Sequence, residues 1–221
     1  MRSKPSPFET LCDILYLLIM IALCVNLLFK DGWGNPESRI YHLAGFLVVI
    51  LILGDSFRFI PRITSFFMKD SDMVELVQDK GKIISSIVLT FFYVFLWSLG
   101  LIIFVPNVSL IYNLLVCILA IIRICMCFVS NKNKSLGWDV VKNLPFVLLV
   151  FVVGFLFFFF RNKIFSLVYA WVAIYFSLIF SMVVLFLSTK TERVGFWVIM
   201  RNLSLIWLIS MFLELWNNIF Y

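Results

Sequence analysis

Apolar residues run through this chain in seven blocks separated by short polar links. Each block is near the roughly 20 residues that a helix needs to cross the hydrocarbon of a bilayer. The blocks fall at about 8–29, 40–60, 83–105, 110–129, 144–160, 164–187 and 195–220. This pattern predicts an all-α polytopic transmembrane bundle of about seven helices, forming a single integral membrane domain over residues 1–221. Arg2 and Lys4 precede the first block as they would in a signal peptide. That block is too long for one, and no small-x-small cleavage site follows before Trp33, so a retained helix is expected.

The links carry their own signals. Pro106-Asn107 and Arg161-Asn162-Lys163 are short enough to be tight turns between antiparallel helices. Gly32, Gly34 and Pro36 mark a turn, with Trp33 placed to anchor at the membrane interface. Pro61 is expected to end or kink the second helix. Beyond it, Ser71 and Asp72 followed by Glu75 look like a helix start, predicting a short interfacial helix before the third span.

Composition removes the soluble alternatives. Of 221 residues, 63% are hydrophobic and 14% charged, with mean hydropathy +1.08, whereas a soluble domain is roughly half apolar and about a quarter charged. The net charge of +6 does not point to nucleic acid, because the basic residues are scattered through short loops rather than gathered in a stripe. Anionic lipid headgroups are the expected partner. Five cysteines, Cys12, Cys24, Cys117, Cys125 and Cys127, all lie inside apolar blocks, which argues for packing residues rather than disulfides or a metal site. Fourteen of the 18 basic residues fall on one side of the alternating topology. The positive-inside rule puts that side, and the N-terminus, in the cytoplasm, with the C-terminus outside. A multi-pass protein of the plasma membrane follows. Its orientation is opposite to that of rhodopsins, and the seventh block has no central lysine to carry retinal.

Charges inside the blocks are the candidate chemistry, because each costs about 2.5–3.5 kcal/mol at the centre of a membrane helix and less near its ends. Asp55, Arg58 and Arg62 share one face of the second helix by their spacing of three and seven. In one reading, Arg58 and Arg62 snorkel to phosphates while Asp55 pairs with Arg58. In the other, Gly54 admits a close helix neighbour and Asp55 faces the interior as a proton, cation or substrate contact. A purely structural bond to another helix is the third possibility. Glu9 and Asp13 could meet Arg58, Arg123 or Arg201. Arg123 is the deepest cation, with snorkelling its expected fate. His42, the single histidine, and Glu214, near Asn217 and Asn218, fall toward the outer end. There Glu214 could pair with His42 or Arg39.

Catalytic patterns are missing: no nucleophile elbow, Walker motif, G-x-G-x-x-G or H-E-x-x-H occurs, and one histidine cannot build a histidine metal triad. No cofactor or metal is implied, and an enzyme is not expected. The run Tyr41-His42-Leu43-Ala44-Gly45, with Gly54-Asp55-Ser56-Phe57-Arg58-Phe59-Ile60-Pro61-Arg62, resembles a family of uncharacterised bacterial seven-helix membrane proteins. Its signature on helix 2 is G-D-(small)-F-H-x-x-P-R, and Arg58 stands where that pattern has histidine. The resemblance implies a functional second helix without naming an activity. The richness in Phe, Asn and Lys also hints at a bacterial source with AT-rich DNA. A fainter similarity, to the ceramidase and adiponectin-receptor hydrolases, rests on Ser56-Phe57 alone and lacks their paired histidines on helix 7.

Two classes of function stay open at this point. The first is a transporter of a small solute or ion, or a subunit of one, using Asp55 with Arg58 or Arg123. The second is a sensor or accessory protein that docks a protein partner or a second copy of itself. An intramembrane lipid hydrolase is a distant third.

Overall fold

A computed structural model of the chain describes residues 6–30, 39–67, 71–104, 107–129, 136–160, 169–190 and 195–219. They form seven helices: α1 (Pro7–Phe29), α2 (Arg39–Phe67), α3 (Ser71–Phe104), α4 (Leu110–Phe128), α5 (Leu136–Phe159), α6 (Ala170–Lys190) and α7 (Gly195–Ile219). There is no strand among the described residues. Six helices contain spans long and apolar enough to cross a membrane, and α6 has a shorter apolar stretch over Ala170–Val184. The protein is a membrane-embedded helical bundle. Each helix packs against its sequence neighbours, α7 returns to α1 and α2, and α3 also touches α5.

Helix formation follows local chemistry where caps are present. Ser6 accepts from the Glu9 backbone N–H and Pro7 opens α1, so the first turn starts with its orphan donors partly satisfied. Along α1 the buried positions are Thr10, Asp13, Tyr16, Met20, Cys24 and Leu27, one stripe at helical spacing. Leu11, Leu15, Leu18, Ile21 and Val25 face outward. In lipid such exposed leucines are in their preferred solvent. What buries the stripe is packing and polar pairing rather than flight from water.

Two helix boundaries differ from the apolar blocks near prolines. α2 does not end at Pro61 but continues to Phe67. Proline lacks the N–H that would reach the carbonyl four residues back, here Phe57. Gly81 of α3 is seated against that carbonyl, so closely that a Cβ on residue 81 would collide with it. A glycine can turn its Cα–H toward the freed oxygen where a larger residue cannot. The predicted interfacial helix is likewise not separate, because it is the first part of the 34-residue α3. α5 begins at Leu136 rather than near 144 and carries Pro145 in its interior.

The other boundaries agree to within three residues where they are described, with Asn107–Ser109 outside any helix between α3 and α4. Pro106, the Arg161–Lys163 turn, the 1/2 link with Trp33, and the first residues expected in the sixth helix lie outside the described residues. All five cysteines are free thiols, Cys24 and Cys127 buried, Cys117 and Cys125 on the outer surface.

Candidate functional site

Three helices bring charged side chains together at one end of the bundle: the start of α1, the second half of α2 and the start of α7. Asp55 lies sixteen residues into α2, and Arg201 six residues into α7. At 1.5 Å per residue, Arg201 lies about 9 Å and Asp55 about 18 Å in from the helix ends on that side. Arg201 Nη2 donates to Asp55 Oδ1 at 2.9 Å, and both side chains are only 3% exposed. Tyr16 of α1 donates its hydroxyl to Asp55 Oδ2 at 2.6 Å. Arg201 also donates to Asn202 Oδ1, from Nη2 at 3.1 Å and Nε at 3.3 Å.

Closer to the helix ends, Arg62 Nη2 donates to Glu9 Oε2 at 2.7 Å, and Arg62 Nη1 lies 3.2 Å from Asp13 Oδ2. Exposure falls along this series, from 27% for Glu9 and 19% for Arg62 to 1% for Asp13. The result is a ladder of alternating charge that leads inward from the surface to Asp55. Phe59, fully buried, is its apolar hub. The Arg201 and Arg58 guanidiniums lie 5.8 and 6.0 Å from its ring centre, and the Tyr16 ring meets it edge-on. Ring quadrupoles stabilise desolvated cations, which helps two like charges share this region. At the mouth, a Cβ on Gly195 would collide with the Glu9 carboxylate, so α7 must start with a residue lacking one to keep Glu9 on Arg62. Beyond Asp55, toward the other end of the bundle, Met20, Leu27, Ala44, Leu47, Val48, Leu51, Leu208 and Phe212 are fully or almost fully buried.

A second polar group lies at the same end, between α4 and α5. Arg123 is buried and donates Nη1 to the Lys142 carbonyl at 2.9 Å, in the turn that Pro145 opens. Its guanidinium also sits over the Phe146 ring at 5.6 Å. Lys142 Nζ donates to the Cys127 and Val129 carbonyls at 3.3 and 3.0 Å, where the end of α4 leaves its carbonyls without helical partners.

Several sequence expectations are corrected here. Asp55 pairs with Arg201 rather than Arg58. Arg62 folds back onto Glu9 and Asp13 instead of snorkelling, and Asp13 finds Arg62 rather than Arg58, Arg123 or Arg201. Arg123 is packed against α5 instead of reaching for headgroups. Arg58 is half-buried on the same face of α2, with no carboxylate within 4.0 Å among the described residues. His42 is half-buried near the opposite end of α2, thirteen residues from Asp55 and so about 20 Å away along the helix. The side chains of Glu214, Asn217 and Asn218 lie outside the described residues. Tyr16, Asn202 and Lys142 were not anticipated. Arg201 could have been found by depth, since it and Asp55 lie six and five residues from the same-side ends of the apolar blocks 195–220 and 40–60.

Gly54 does admit a close neighbour: a Cβ there would come within 2.8 Å of the Val88 side chain of α3. No protein-family model, curated protein or solved structure matches the chain.

Proposed function

We propose that this chain is a transporter of a small solute or ion, or a subunit of one, in the plasma membrane. Its N-terminus would be cytoplasmic and its C-terminus outside. The observation that carries this reading is the graded ladder from Glu9 and Arg62 through Asp13 to Asp55 and Arg201. Six ionisable groups are costly to hold among apolar helices, and replacing a buried ion pair with apolar residues is often neutral or stabilising. Structure alone would be served better by leucines. A ladder that is open to water at one end and closed by apolar packing at the other suits one state of an alternating-access cycle.

The test is flux in liposomes containing the purified chain, followed with a pH-sensitive dye and with solid-supported-membrane currents on jumps of salts of small anions and cations. A solute-dependent current that Asp55→Asn removes is expected. Currents indistinguishable from empty liposomes for all solutes would sink the reading.

The apolar packing beyond Asp55 also favours a second reading, in which the bundle is an accessory protein that docks a partner or a second copy and moves nothing. A stoichiometric membrane partner on purification, with no current from either protein alone, would favour it. Lipid hydrolysis gains nothing from the geometry, since His42 stands about 20 Å along α2 from Ser56, beyond reach of a nucleophile–base pair.

A further inference from the structure

The ladder contains three carboxylates, Glu9, Asp13 and Asp55, and three guanidiniums, Arg58, Arg62 and Arg201. With every group ionised its formal charge is zero. The hydrogen bonds are not evenly shared. Asp55 accepts from both Tyr16 and Arg201, and Glu9 accepts from Arg62 at 2.7 Å. Asp13 Oδ2 faces Arg62 but accepts no hydrogen bond, although it is buried. On the donor side, Arg58 has no carboxylate partner among the described residues, and the Nδ2 of buried Asn202 has no acceptor among them. The unused capacity is therefore a guanidinium fork and an amide donor, set against one carboxylate oxygen.

A guanidinium without an acid partner is the chemistry that holds an oxyanion, and Arg201, over the same Phe59 ring as Arg58, adds positive charge there. An anion entering alone would leave the cluster with a net negative charge in an apolar surrounding, which is strongly unfavourable. A proton entering with it removes that charge. Asp13 is the carboxylate placed to take the proton, because it gives up the fewest hydrogen bonds on doing so. Arg62 is not orphaned by this, since Glu9 remains bonded to it. The charged groups that act on Asp13 are Glu9 of α1, Arg58 and Arg62 of α2, and Arg201 of α7, the last of which bonds Asp55 and, through it, Tyr16.

We propose that the α1/α2/α7 site binds a small oxyanion, a carboxylate or a phosphate group, at Arg58 together with one proton on Asp13 Oδ2. The anion keeps its bonds and its charge. The proton passes from water at the Glu9–Arg62 mouth to Asp13, and the loaded site stays neutral. Binding needs nothing else, and only the movement of the loaded site across the membrane rests on the transport reading above.

The experiment uses the full chain in phosphatidylcholine nanodiscs, titrated with sodium acetate and with inorganic phosphate in weakly buffered solution containing a pH indicator. Saturable binding of at least one probe is expected, with close to one proton taken up per anion. Once Asp13 is ionised, affinity should fall about tenfold per pH unit, as one linked proton requires. Asp13→Asn should bind without proton uptake and without that pH dependence. Arg58→Ala should bind at least tenfold more weakly while its unfolding midpoint shifts only slightly, because Arg58 holds no ion pair among the described residues and gives up only its contact with the Phe59 ring. Failure of both probes to bind the wild type, binding without proton uptake, or proton uptake that survives in Asp13→Asn would each overturn the proposal.

Nanodiscs containing phosphatidylglycerol separate the sources of the oxyanion. Competitive loss of probe binding there, with phosphatidylglycerol retained on purification by the wild type and not by Arg58→Ala, identifies a headgroup phosphate, and unchanged binding identifies a free solute. Proton-linked binding in nanodiscs without flux in liposomes would keep this site and sink transport. Flux without proton-linked binding would do the reverse.

Discussion

The two polar groups at one end of the bundle meet the same physical demand in different ways. Between α1, α2 and α7, side chains pair across long stretches of chain: Glu9 with Arg62 and Asp55 with Arg201 as opposite charges, and Tyr16 as a neutral donor to Asp55. Between α4 and α5, two cations are held by backbone carbonyls of the neighbouring helix, each contact within 19 residues along the chain. The first arrangement ties three helices that are distant in sequence and depends on the protonation of its members. The second staples a local helical hairpin through acceptors that never titrate. A bundle that changes state has reason to do so at the first and to keep the second fixed.

That contrast can be broken most forcefully at Asp55. Asp55→Asn strands the buried Arg201 guanidinium and should cost about 3–5 kcal/mol of stability, the usual penalty for removing one partner of a buried pair. Tryptophan fluorescence through a denaturing-detergent titration would measure it. The double variant Asp55→Leu with Arg201→Met should regain most of that loss while abolishing any flux, and retained flux would show the pair to be structural only. At the other group, Arg123→Met keeps the contact with the Phe146 ring and strands no carboxylate, so its cost should be about 1–3 kcal/mol, that of a charged hydrogen bond. A loss as large as that of Asp55→Asn would erase the distinction between the two groups. Lys142→Ala should cost about 1 kcal/mol, since the α4 carbonyls it leaves are near enough to water to be rehydrated. Smallest is Glu9→Gln, on a pair part-exposed at the mouth, where exposed ion pairs are worth at most about 1 kcal/mol. Its unfolding curve should nearly overlay the wild type.

The helices were legible because apolar runs of membrane length leave few alternatives, and six of the seven contain a described span of that kind. Local rules failed where a tertiary contact outweighed them. Pro61 signals a stop, yet the carbonyl it frees at Phe57 is met by Gly81, and nothing near Pro61 in sequence reveals that. The start of α5 was missed because its first turns, Leu136–Asn143, are more polar than the apolar block, and the helix runs on through Pro145, with Arg123 attached beside it. For the charges, spacing showed that Asp55, Arg58 and Arg62 share a face, but not which helix that face meets. Arg58, three residues away, was the nearest candidate for Asp55, while the actual partner is 146 residues distant. Periodicity along one helix carries no information about the rotation of another, so pairing of this kind is invisible until the bundle is assembled.

The seat of Gly81 against the Phe57 carbonyl has a practical consequence. α3, with 34 residues, runs about 51 Å, well beyond a hydrocarbon layer of about 30 Å. The apolar run in its sequence starts only at Ile83, so the polar first turns of the helix, from Ser71, extend past it. Because the two helices meet backbone to backbone at the base of this overhang, it forms a stiff stalk on a 25.8 kDa protein. A helical fusion continued from α3 through Ser71 would inherit that rigidity. It would give single-particle images the fixed landmark that a bundle this small lacks.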